Sequence, residues 1–201
     1  MSQYAQDGQS YEVLLKGEFW LRDKNAIVSR ITLHSESCEA IHFREVVFEP
    51  TRSGNEKDPI LLRARQNVLD PDAGWTLFSH LKQESVRAHP EATVRPWATM
   101  NAVGDALSFA CALGYVRRSE IYKRGFAFRR GMLVIQMTQQ EMIEAKTGQP
   151  IPASAETLWE VEVKTAFPIQ NTPETPISRA IDAVLEVQML MKGLLDLRRN
   201  E

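Results

Sequence analysis

Cysteine is scarce: Cys38 and Cys111 are the only two in 201 residues. A disulfide framework is therefore excluded, and the composition fits a reducing compartment. Both thiols fall in segments that read as buried or near-buried. No apolar run approaches the roughly 20 residues needed to cross a bilayer. The opening MSQYAQDGQS lacks the charged-then-apolar order of a signal peptide. The expectation is a soluble, intracellular protein. Charge of one sign is also lacking: the formal net charge is -2 and the pI about 6.1, so the whole molecule has no bias toward nucleic acid or an acidic membrane. No Gly/Ser-rich or Pro-rich stretch is long enough to link domains. No glycine-rich phosphate loop, nucleophile elbow or His-Glu-x-x-His string occurs.

Two-residue periodicity is abundant instead. Tyr11, Val13, Leu15 and Phe19 alternate with Glu12, Lys16 and Glu18. Ile60, Leu62 and Ala64 alternate with Arg63, Arg65 and Asn67, and Leu133, Ile135 and Met137 with Gln136, Thr138 and Gln140. Trp159, Val161 and Val163 alternate with Glu160, Glu162 and Lys164. Successive side chains on a strand point to opposite faces, so each segment predicts a strand with one apolar and one polar face. Weaker strand patterns cover Ile41–Glu49, Trp75–Leu81, Val94–Met100, Arg117–Lys123 and Phe126–Arg130, the last turning at Gly131 into Leu133.

Three helices are expected: Asn25–Ser35, Val103–Leu113, and a C-terminal helix over 176–199 opened by Thr175-Pro176. The fold class is mainly β with flanking helices. It is expected to be a closed or nearly closed antiparallel barrel of about eight strands plus three helices. The polar faces would line a wet tunnel; the other arrangement left open is a sheet with those faces in solvent. Residues 1–9 are expected to be a flexible N-terminal segment, and 10–201 a single barrel domain.

Glu160-x-Glu162-x-Lys164 places two carboxylates and an ammonium on one strand face, with Arg63 and Arg65 as candidate anion-binding groups. This resembles the strand of triphosphate-tunnel enzymes, which hold a divalent metal and a polyphosphate. Hard cations want several oxygen ligands, and no second strand offers a Glu-x-Glu pair; Glu56/Asp58 and Asp70/Asp72 sit in turns. An ion-paired polar face is the commoner meaning of such alternation, so no catalytic residue, no metal and no cofactor are expected. His34-x3-Cys38-x3-His42 lacks the four ligands of a structural zinc site. Six cations between Arg117 and Arg130 interleave with Tyr122, Phe126 and Phe128. That hairpin reads as a solvated face or a contact for an acidic protein surface rather than a nucleic-acid site. On the last helix Leu190, Leu194 and Leu197 widen the apolar face to two sides, making them candidates for contact with a partner helix.

Several strings taken in order resemble the Mediator subunit 18 family: Tyr11-Glu-Val-Leu-Leu-Lys-Gly17, Pro59-Ile-Leu-Leu-Arg-Ala-Arg65, Trp75, Leu113-Gly-Tyr115, and Tyr122-Lys-Arg-Gly-Phe-Ala-Phe-Arg-Arg-Gly131. They span nearly the whole chain and match least at 1–10, 51–58 and 144–156. The resemblance implies a barrel similar to the triphosphate-tunnel architecture but without activity. It implies a structural, protein-binding subunit of the Mediator coactivator head module in the nucleus. The implied partners are Mediator subunit 20 (a related barrel), the C-terminal helix of Mediator subunit 8 and, through the complex, the RNA polymerase II initiation machinery. The competing reading is a tunnel-type metal-dependent triphosphatase or polyphosphate binder.

Overall fold

Strands with one apolar and one charged face can satisfy both if the sheet rolls up, burying one face against helices and enclosing the other. The computed structural model, which describes residues 9–51 and 59–200, shows this arrangement. In chain order the elements are β1 (Ser10–Phe19), α1 (Lys24–Leu33), β2 (Ser37–Pro50), β3 (Leu62–Asn67), β4 (Trp75–His80) and β5 (Thr93–Ala102). There follow α2 (Ala106–Ala112), β6 (Tyr115–Arg130), β7 (Leu133–Ile143), β8 (Pro150–Ile151), β9 (Trp159–Thr165), β10 (Ile169–Gln170) and α3 (Ile177–Met191). The wall runs β1-β5-β4-β3-β2-β6-β7-β9 and returns to β1, with every pairing antiparallel. It is a closed eight-stranded antiparallel barrel flanked by three helices. The two-residue β8 and β10 only extend β7 and β1.

The apolar strand faces point outward. Val13, Leu15, Ile135, Met137, Val161 and Val163 pack beneath Ile27 and Ile31 of α1 and Ile177, Ala180, Val184 and Met191 of α3. Each fully buried side chain of this size contributes roughly 1.5–3 kcal/mol. A smaller cluster, Val46, Phe48, Ala64 and Leu77, lies under Ala106 and Ala110 of α2. Asp105 caps that helix, its carboxylate accepting from the Ser108 amide at 3.0 Å.

Several expectations are corrected. The two strand patterns 117–123 and 126–130 are one strand, β6, which bridges β2 and β7. The C-terminal helix ends at Met191, not 199. Lys192 already has extended backbone, and Gly193 takes a left-handed φ of 84° that favours glycine. The chain then returns to β1, where Arg198 bridges Lys16. Cys38 and Cys111 are both exposed, because Cys38 sits on the outward end of β2 and Cys111 on the solvent side of α2. Residues 1–8 of the expected flexible segment and the Glu56/Asp58 pair lie outside the described residues.

Candidate functional site

The inward faces enclose a cavity of about 920 Å³. Arg63, Arg65, Glu160, Glu162 and Lys164 all line it. β3 brings Arg63 and Arg65 beside β2, where Glu45 is paired with Arg65 in register. Arg63 Nη1 donates to one Glu45 oxygen at 2.7 Å and Arg65 Nη2 to the other at 2.8 Å. Burial alone would raise the Glu45 carboxyl, but the Arg65 and Arg63 guanidiniums outweigh it and hold it below the usual carboxylate range. Arg65 also lies over the rings of Phe43 and Phe78 at 5.1 and 4.8 Å.

Across the cavity β9 sets Glu162 between two ammonium groups, Lys16 Nζ at 3.2 Å and Lys164 Nζ at 2.8 Å. Desolvation would raise this carboxyl too; Lys164 first, then Lys16 and Lys123, drive it well below the normal value. Glu160 accepts from Lys123 at 2.9 Å and from the Gln140 amide at 2.8 Å. A third set joins Glu12 and Arg95, 2.7 Å apart. The carboxylates of the Glu-x-Glu-x-Lys strand are thus neutralised by the protein's own cations. That is the ordinary outcome for alternating charge on facing strands.

His80, at the same end as Glu12, behaves differently. Burial first, then Arg95, Lys164 and Arg63, push its pKa down to about 2. It is a neutral imidazole, so its 3.5 Å approach to Glu12 is a dipolar contact rather than an ion pair.

Glu45, His80, Arg95 and Lys123 escaped the sequence reading as tunnel residues. Glu45 precedes the apolar run Val46-Val47-Phe48, which masked its face; the alternation Trp75/Leu77 against Thr76/Phe78/His80 carried the missing signal on β4.

The other candidates disperse. In the 117–130 cluster Lys123 points into the tunnel, Arg117 pairs with Glu120, Arg124 with Glu141, and Arg130 with Glu186. They occupy both faces of a 16-residue strand and form no single basic surface. Cys38 and His42 lie four residues apart on β2, about 13 Å along an extended chain. His42 is buried, with Nε2 2.8 Å from a Glu141 carboxylate oxygen and Nδ1 3.4 Å from Arg124 Nη2. His34, Cys38 and His42 are not assembled as ligands. Asp70 and Asp72 flank an exposed turn.

At the end of α3 a second hollow of about 540 Å³ is lined by Met189, Leu194, Leu195 and Leu197 among others. Met189 is 72% exposed. Leu190 and Leu194 are half-buried. Leu197 is not a surface contact: at 1% exposure it belongs to the core beneath α3, because the chain has left the helix and turned inward.

The closed eight-stranded antiparallel barrel with helices outside and a charged lumen is a tunnel-barrel fold; the Mimivirus capping enzyme triphosphatase superposes on it with a TM-score of 0.55 over 94% of this chain and 91% of that one at 11% identity. In sequence this chain is similar to Mediator of RNA polymerase II transcription subunit 18 from Danio rerio: 24% identical over 154 residues, 76% of this chain and 74% of that protein. A chain of the Schizosaccharomyces pombe Mediator head module superposes with a TM-score of 0.77 over 94% of this chain and 98% of that one, at 17% identity. No family model matches.

Proposed function

We propose that the chain is a non-enzymatic structural subunit of a nuclear Mediator-type coactivator, holding head-module partners together and thereby linking regulatory input to RNA polymerase II initiation. The observation that carries this reading against a tunnel enzyme is the closure of Glu45, Glu160 and Glu162 on Arg63, Arg65, Lys123, Lys16 and Lys164. A metal-dependent triphosphatase needs carboxylates open to the metal and cations open to the phosphates; here each group is spent on the other. The similarity to Mediator subunit 18 supplies the assembly. The partners proposed are a Mediator subunit 20 barrel and the C-terminal helix of a Mediator subunit 8. The hollow at the end of α3, with Leu194 half-buried and Met189 exposed on its lining, suits one face of an amphipathic helix.

The test is co-expression with those two proteins. A stable ternary complex is expected, and Leu194→Asp should weaken capture of the helix at least about tenfold while leaving the isolated barrel folded. No association with either protein would sink the assembly. The enzymatic alternative has its own readout. With Mg²⁺ or Mn²⁺ and a triphosphate-ended RNA, phosphate release should not exceed that of Glu160→Ala/Glu162→Ala; release abolished by that double variant would reverse the reading.

A further inference from the structure

The two edges of β1 are treated unequally. Along Leu14 to Phe19 one edge carries an unbroken ladder to β9. The other edge pairs with β5 only from Tyr11 to Leu14, where β5 begins at Thr93. Beyond that point the edge meets the C-terminal segment, where Arg198 forms an isolated antiparallel bridge with Lys16. The Lys16 amide donates to the Arg198 carbonyl at 2.8 Å and the Arg198 amide to the Lys16 carbonyl at 2.7 Å.

This segment obeys strand alternation. Leu195 and Leu197 point outward into the core beneath α3, while Asp196 and Arg198 face the cavity. Its far end is fastened by the Asn200 amide to Thr93 Oγ1 at 2.8 Å and by Arg199, which donates to the carbonyls of Glu84 and His89. A Cβ on Gly17 would lie 2.8 Å from the Asp196 carbonyl oxygen, so the close approach of this segment requires glycine at that position. The joint to α3 is exposed at Lys192 and Gly193.

We infer that the edge of β1 beyond β5 is a strand-acceptor groove, and that residues 195–200 are its exchangeable occupant, supplied in cis. The ligand class is an extended peptide with apolar side chains at alternate positions and charged ones between, added to the edge by main-chain hydrogen bonds. Exchange is expected because only two ladder bonds and two leucines seat the segment on β1 against the backbone entropy of six ordered residues. Its other bonds run to Gln188, Thr93 and the Glu84 and His89 carbonyls. Such a segment opens at lower free energy than the β1–β9 ladder. While seated it closes the barrel wall over the cavity.

The test uses a chain ending at Gly193 and a labelled synthetic peptide of residues 194–201. Saturable binding to the shortened chain, at least tenfold tighter than to the full chain, is expected, with loss of binding for a peptide carrying Leu195→Asp and Leu197→Asp. A folded shortened chain that ignores the peptide, or a full chain that binds it equally well, overturns the inference. Should the shortened chain not fold, Gly17→Val in the full chain decides. Hydrogen exchange is then expected to lose protection at the Arg198 amide while β9 keeps its own. Unchanged protection at Arg198, or loss throughout the barrel, makes the segment an integral wall and defeats the proposal.

Discussion

β9 shows the two faces of the barrel in one strand. Trp159, Val161 and Val163 face outward and vanish under α1 and α3, whereas Glu160, Glu162 and Lys164 face inward and meet charge. The outward residues gain free energy in proportion to area removed from water. The inward ones recover by pairing roughly what they lose by desolvation. The outer face therefore holds the barrel shut, while the inner face fixes which side chain meets which. An interior of this kind tolerates removal of a whole ion-pair set better than removal of half of one.

The sharpest break of the comparison is on the outside. Val163 is 0% exposed, and Val163→Asp places an unpaired carboxylate in the helix-covered core. A loss of about 4 kcal/mol or more is expected, enough to unfold a domain of ordinary stability, read by urea unfolding.

Inside, Glu45→Leu leaves Arg63 and Arg65 facing each other with no counter-ion, at an expected cost of about 3 kcal/mol. The triple variant Glu45→Leu/Arg63→Met/Arg65→Met should return to within about 1 kcal/mol of the starting protein. A triple variant worse than the single one would show that the interior network contributes net stability, and the contrast between the faces would fall.

Barrel, tunnel and the Arg63, Arg65, Glu160, Glu162 and Lys164 placements were legible wherever polarity alternated strictly, because a period of two allows one geometry. The hidden parts were set by events that periodicity does not encode. Glu45 stands between Arg44 and the unbroken apolar run Val46-Val47-Phe48, where alternation is lost, so only the pairing with β3 reveals its face. Leu197 reads in sequence as a second apolar side of the helix, yet Gly193 breaks the helix and delivers it into the core. Cys38 and Cys111 look like core by residue type, but exposure is settled by which strand end and helix face lack a cover. His80 depends on the register of β4 against β5, where it stands opposite Trp97.

His80 offers the smallest effect and the finest probe of the lumen. Its folded-state pKa is about 2, against an ordinary value of 6.5. Between those values the unfolded chain binds a proton that the folded protein refuses, so unfolding is favoured as pH falls. The stability tied to its neutrality is fully present above pH 6.5 and drains away below it. The limiting slope is about 1.4 kcal/mol per pH unit. Glu45 and Glu162 act in the same direction, but their carboxyls are lowered from 4.5, so their loss begins only below that value. The window from pH 6.5 to about 5 therefore lies above the carboxylate losses, and a difference between variants isolates His80 within it. His80→Leu should remove about 1–2 kcal/mol of the stability lost between pH 7 and pH 5, measured as the change in urea midpoint at each pH. A variant whose midpoint falls as steeply as that of the parent would mean that His80 is protonated in the folded barrel, and that burial, with Arg95, Lys164 and Arg63 behind it, does not keep the imidazole neutral.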